Sequence, residues 1–417
     1  MVNTKLKILS QNLILFLITL ALIMTSGSNT SIIFLAMSVM LAFFRETQIS
    51  SKNIFTALLF IFLLYLNSYV FAIAPFDSKE FMVYVVRFIS LAILATYISY
   101  ERFFEIYVRI LYVVFCITLV LWAVLFIFNN IGLRGVLSPA IMDYFMMDST
   151  SQMLRLKAIF WEGGVCATHA NIGLTYCIIK GIDSKKLRNM AIVFILAVIC
   201  SVSTTGYIVL VLQVALYLYR NCNEYRIPKK VMVLLMVALI VFLIEEITVG
   251  VIVGKIFGGQ HSFTSRFDDT YLALLIAKDN FWTGIGVATD TQVVFLDYFY
   301  NSLQYKSVQK YFAPDLASSN GLGNCMYKAG VLFTIVYICV IFFKLKERMR
   351  LRKFEAILIT MMYICYFIGE PIMSTPMMLM FFFSIRVKEK EKICHDYNGG
   401  KHENVSSRYV VGNRASI

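Results

Sequence analysis

Charge is what this sequence has least of. Only 15% of its 417 residues are Asp, Glu, Lys or Arg, and 59% are hydrophobic, whereas soluble domains carry about a quarter charged and about half apolar residues. That balance excludes an ordinary soluble enzyme. Length alone suggests about three soluble domains, but the long apolar runs and a mean hydropathy of +0.74 indicate one transmembrane bundle over residues 1–385. A disulfide framework is missing too. The nine cysteines are odd in number, seven lie inside apolar runs, and none shows a CxxC or Cys/His spacing, so neither cross-links nor a zinc site is expected. No outer cluster of Asp, Glu or His has ligand spacing, so no metal and no cofactor are expected. The first apolar run has no small-residue cleavage site and reads as a retained signal-anchor helix. Internal repeats and inverted pairs of broken helices, frequent in transporters, are absent.

What is present is a series of about twelve apolar spans, near 8–25, 31–44, 54–74, 81–100, 107–128, 158–179, 189–202, 206–219, 231–253, 321–343, 354–369 and 372–385. They sit at the short end of what a bilayer core requires. The run 189–219 is divided at SVSTTG (201–206), where Ser, Thr and Gly permit a turn. The last two spans separate at Gly369-Glu370-Pro371, since proline cannot continue a helix. Of the 38 Lys and Arg residues, 27 then fall on the side of the N-terminus, 10 on the other side, and Arg87 within a span. This is the positive-inside pattern, with both termini cytoplasmic. The net charge of +13 is thus a topology signal facing anionic membrane lipids, not a nucleic-acid surface. The tail 386–417 is polar, aperiodic and expected to be disordered.

Two intervals face outward, 129–157 and 254–320. A connection as long as the second usually carries function. Its first part predicts an amphipathic helix with Phe267, Tyr271, Leu274 and Lys278 on one face, capped by Thr264 or Ser265 and ended by Gly284 and Gly286. Such a helix would lie along the membrane surface and hold Arg266 over the bundle, with Asp268 and Asp269 beside it. The other interval leads into RLKAIFWEGGVCATHANIGL (155–174), the densest polar cluster in any span. One ionisable group there costs on the order of 2.5–3.5 kcal/mol, so it should face a partner or a wet cavity. Glu162 and His169, seven residues apart, would share a helix face and line one cleft; the alternative for each is a polar helix-packing contact. Gly163-Gly164 either breaks the helix or permits close packing. Arg134, Arg155, Lys157 and Arg266 gather cations at the outer mouth, where a guanidinium suits a pyrophosphate. Lys255, Lys306 and Lys310 read instead as headgroup contacts.

Five of these segments, in this order, resemble the O-antigen polymerase (Wzy) and O-antigen ligase superfamily. They are RLKAIFWEGGVCA, SVSTTGYIVLVLQ, SRFDDTYLALLIAKDNFWTGIGVATD, SSNGLGNCMYKAGVLF and GEPIMSTPMMLMFF, together covering roughly 150–385. The family often has Pro after the Glu, where this chain has Gly163. Its ligases usually carry a His near the outer loop's re-entry, where this chain reads Ala317-Ser318-Ser319-Asn320; this favours the polymerase. The resemblance implies an all-α polytopic fold like that of GT-C glycosyltransferases, in the bacterial inner membrane. It also implies metal-independent joining of undecaprenyl-pyrophosphate-linked oligosaccharides on the outer face, with a flippase and a chain-length regulator as partners. Glu162, Arg266 and Arg155 would be catalytic, with Arg134, Lys157, His169, Asp268, Asp269 and Asn320 binding substrate. The alternatives are a ligase transferring glycan to lipid A core, or a repeat-unit flippase.

Overall fold

The computed structural model describes chiefly residues 50–130, 155–221, 272–298 and 320–370. Outside the described residues lie the spans expected at 231–253 and, but for a few residues, at 8–25, 31–44 and 372–385. So do Arg134, Arg266, Asp268, Asp269 and the tail 386–417. Among the described residues the chain is all-α: there is no strand, only an isolated bridge between Phe76 and Thr289. Two helical stretches, Ser51–Val70 and Arg102–Phe128, are long and apolar enough to cross a membrane.

The elements are α1 (Ser51–Tyr65) with a π-helical turn at Leu66–Val70, α2 (Ser78–Tyr97) and α3 (Tyr100–Asn130). There follow α4 (Gly163–Lys180), α5 (Lys185–Ser201) and α6 (Thr204–Asn221). The C-terminal part contributes α7 (Gly321–Ala329), α8 (Val331–Arg348) and α9 (Lys353–Gly369). Helix α4 is central: all but Tyr176, Ile179 and Lys180 are buried, against α3, α5, α6 and α9. Its sequence, GGVCATHANIGLTYCIIK, explains this. Small residues let neighbouring backbones approach. A Cβ on Gly173 would collide with the Phe194 ring of α5 at 2.7 Å.

Short connections make α4, α5 and α6 antiparallel neighbours. The α5–α6 turn falls at Val202–Ser203, as the Ser/Thr/Gly signal predicts, with Val202 left-handed at φ +50°. Arg220 of α6 meets Glu355 of α9 at 3.4 Å, and Phe104, Tyr176 and Met349 line one small cavity. The basic connections 180–188 and 344–353 and the start of α3 therefore lie at one end of the bundle. The Val202 turn lies at the opposite end.

Two expectations are corrected. The span expected at 321–343 is two helices, broken at Gly330, whose φ of +91° a side chain rarely adopts. The helix expected from Ser265 is described over 272–279, and its buried face is Leu272, Ala273, Ile276 and Ala277, while Leu274 and Lys278 are exposed. The buried face of this element is docked on protein. Its small face packs against α7, where a Cβ on Gly323 would come within 3.1 Å of Ala273.

Candidate functional site

Four helix ends converge opposite the basic connections: the starts of α4 and α6 and the ends of α5 and α9. Arg155 binds the end of α5, Nη2 donating to the Val202 carbonyl (2.9 Å) and Nε to the Ser201 carbonyl (3.4 Å). These carbonyls close α5, so the cation meets the negative end of a helix dipole. The next residues are bound to the same end, Leu156 N donating to Cys200 O at 2.9 Å, and the chain reverses at Ala158 with φ +54°.

Glu162 is the residue before α4, in extended conformation (φ −145°, ψ 149°), and its side chain does not cap the helix. It therefore does not share a helix face with His169, which corrects the expected common cleft. The ring of Phe160 stacks on His169 at 4.4 Å, and Tyr107 Oη of α3 lies 2.6 Å from its Nδ1. His169 is a buried packing contact. Asn171 likewise ties α4 to α6, donating to the Gly206 carbonyl at 3.1 Å. Gln213 of α6 donates back to Asn171 O and to Thr175 Oγ1, at 2.6 and 2.9 Å.

The group that sequence reasoning missed is Glu370. It ends α9, is 2% exposed, and lies so close to Gly164 that a Cβ there would overlap its carboxylate. The carboxylate thus faces the positive end of α4. A Cβ on Gly163 would meet Ser201 O at 2.9 Å and lie 3.8 Å from Arg155 Nε. Gly163-Gly164 permits close packing and starts the helix. The structure thus brings Arg155, Glu162 and Glu370 around two glycines. Lys157 is half-buried on the same approach. Asn320 caps α7, its Oδ1 accepting from Gly323 N at 2.9 Å. The signal for Glu370 was in the sequence: an acidic residue between Gly and Pro where two spans meet.

A second constellation is built by the outer loop. Residues 281–290 form a strap bonded on both sides. Ile285 N and Gly286 N donate to the Tyr327 and Lys328 carbonyls, at 2.8 and 3.1 Å. Asp77 N and Asp290 N bond Ala288 O and Pro75 O, at 3.0 and 2.9 Å. The π turn contributes side chains: Asn67 accepts from Val287 N (2.7 Å) and donates to Thr283 O, and Ser68 accepts from Ala288 N (3.0 Å). Gly284 (φ +66°) packs onto the Lys328 carbonyl where no side chain fits. Beneath the strap, between α1, α2, α7 and α8, lies a cavity of about 840 Å³. Lys328 Nζ and Glu80 Oε1 stand 3.5 Å apart in its wall. Burial raises the Glu80 carboxyl above the ordinary carboxylate range, and Lys328 opposes that shift.

Among the described residues no group of three or more His, Cys, Asp or Glu could hold a metal ion. Comparison of the chain with protein-family models, with curated proteins and with solved structures returns no match.

Proposed function

We propose that this chain is a polytopic glycosyltransferase of about twelve spans in the bacterial inner membrane, with both termini cytoplasmic. It joins oligosaccharide repeat units carried on undecaprenyl pyrophosphate, on the outer face. The observation that carries this reading is the meeting of chain segments at the start of the most buried helix: Arg155 on the carbonyls that close α5, Glu162 just before the helix, and the Glu370 carboxylate against Gly164. That meeting lies at the end of the bundle opposite the basic connections, hence outside by the positive-inside rule. The five segments resembling the polymerase and ligase superfamily add support, since two of them supply these residues.

The chemistry asks little beyond such a set. A hydroxyl of the acceptor sugar gives its proton to a carboxylate, and its oxygen bonds to the anomeric carbon of the donor. The bond from that carbon to pyrophosphate breaks, and its electron pair leaves with the lipid pyrophosphate. As the sugar becomes oxocarbenium-like, positive groups on the leaving oxygens stabilise the transition state. Glu162 or Glu370 serves as base, and Arg155 with Arg266 carries the electrostatic part. A flippase supplies the substrate, and a chain-length regulator acts on the product.

Deletion in the native host tests the reading. A polymerase leaves surface lipid capped by a single repeat unit. Loss of all glycan indicates ligase or flippase, and an unchanged ladder refutes the glycan assignment. Glu162→Gln and Glu370→Gln then identify the base, whose removal should cost about 10²–10⁴ in rate.

A further inference from the structure

The strap 281–290 is held on its two sides by different means. Towards α7 it is packed. Ile285 shares a small apolar core with Leu272, Ala273, Ile276 and Tyr327, separate from the main core of the bundle. Val331 N donates to Phe281 O at 2.9 Å, and Ile285 and Gly286 bond to the end of α7. Strap, 272–279 and α7 thus form one packed body. Towards α1 and α2 the seam is made chiefly of hydrogen bonds, with Val287 and Ala288 set against the main core. Asn67 and Ser68 clasp Thr283, Val287 and Ala288. Ile73 N and Ala74 N donate to Ile285 O at 3.2 and 3.4 Å, and the Glu80–Lys328 ion pair crosses the same seam. The other charged residues of the cavity wall, Asp77, Lys79 and Arg87, lie on the α2 side, Asp77 capping that helix.

The clasp depends on the π turn that ends α1. Phe71 N donates to Leu66 O, five residues back, at 2.9 Å. Such single wide turns are rare and recur at functional sites. Return of this turn to α geometry, one residue passing to the loop before α2, would rotate its side chains by up to about 100° and take Asn67 and Ser68 off the strap. The seam has two arrangements of one short segment, and it borders a cavity of about 840 Å³. We propose that the π turn is a latch: in its present form it closes the cavity from the outer side, and in its α form it frees the strap and admits water and polar solutes there. The exposed Leu332 and Val336, at the lateral edge of the cavity, stay in lipid in both forms. This goes beyond the reading above and uses none of its chemistry, so its failure would leave the glycosyltransferase assignment untouched.

Two native thiols report on the latch. Cys325 of α7 is half-buried in the cavity wall, and Cys166 of α4 is fully buried in the bundle. The test is the rate at which each is modified by an anionic, membrane-impermeant methanethiosulfonate, read site by site by mass spectrometry, in the purified full chain in phosphatidylcholine nanodiscs. In the wild type Cys325 should react slowly, yet about tenfold faster than Cys166. Asn67→Ala with Ser68→Ala removes three hydrogen bonds and should speed Cys325 by about tenfold or more, leaving Cys166 unchanged. Glu80→Gln, which weakens a half-exposed ion pair, should speed it a few-fold. Cys166 serves as the control for unfolding, and Glu80→Gln decides the matter should the double variant expose Cys166 as well. A wild-type rate at Cys325 in the deciding variant overturns the proposal. So does a wild-type Cys325 no faster than Cys166, which would mean that the strap never lifts. A gain seen only with an apolar, membrane-permeant maleimide would place the route at the lateral edge and overturn it too.

Discussion

Gly164→Ala is the most informative single change at the candidate site, because two known effects oppose each other there. Replacing Gly by Ala inside a helix normally gains up to about 1 kcal/mol. Gly164, the second residue of α4, has the Glu370 carboxylate against its Cα, and a methyl group there would occupy the carboxylate's place. Overpacking of this kind costs about 1–3 kcal/mol. The clash should win, with a net loss of roughly 0.5–2 kcal/mol once the helix gain is subtracted, and the carboxylate should move away from the glycines. Shortening the acid withdraws it by one methylene, so Gly164→Ala with Glu370→Asp should recover part of the loss. Contacting residues couple by about 0.5–3 kcal/mol in such cycles. Thermal unfolding of the purified protein gives the stability, and surface glycan length the activity. A Gly164→Ala protein at least as stable as wild type, with a normal ladder, would show that no carboxylate rests there and remove Glu370 from the site.

Arg155→Lys should reduce chain growth nearly as far as Arg155→Ala, because an ammonium cannot take the Ser201 and Val202 carbonyls in the same fork; a full ladder from the lysine variant would reduce its role to charge. Arg266→Lys should cost some hundred- to thousandfold in rate, the usual effect of losing one preorganised donor, while Lys306→Ala keeps its ladder. Tyr107→Phe leaves the buried His169 nitrogen without its partner and should destabilise by about 1–3 kcal/mol with activity per folded molecule unchanged; a selective loss of activity would return His169 to the substrate site. A cysteine at Lys278 in an otherwise cysteine-free variant should react with an impermeant maleimide in whole cells and one at Lys186 should not, and the reverse pattern would place Arg155 and Glu370 on the wrong side of the membrane.

The parts of this architecture that were legible in the sequence are those written in local chemistry. The α5–α6 turn follows from Ser, Thr and Gly in succession, and the end of α9 from Gly369 before Pro371. The burial of α4 was visible only as polarity, since Glu162, His169 and Asn171 had to face something. What they face was not visible, because the partners sit on other helices: Tyr107 is 62 positions from His169, and Gln213 is 42 from Asn171. The break at Gly330 was hidden because Ala-Gly-Val reads as continuous hydrocarbon, and its cause is the strap carbonyl of Trp282, where a Cβ would lie. Periodicity misjudged the buried face of 272–279 because it favoured large apolar residues. The actual neighbour, Gly323, selects Ala273 for closeness rather than hydrophobicity. Glu370 escaped notice because its role depends on the start of α4, some two hundred residues earlier.

The strap also imposes an order on how the molecule can be made. Asn67 and Ser68 of the π turn bond to backbone groups 216 and 220 residues further along. At about 5–20 residues per second of synthesis, the first two described helices must wait on the order of 10–40 s for that partner to emerge. Throughout that interval the polar side chains of the turn, and Arg87 in the wall of the cavity, stand without their lid. A ribosome stalled or a chain truncated before residue 280 would leave this hairpin open. Membrane-bound chaperones and proteases that survey nascent chains would meet it in that form, so quality control of this protein should be sensitive to the integrity of 281–290 well before any sugar is joined.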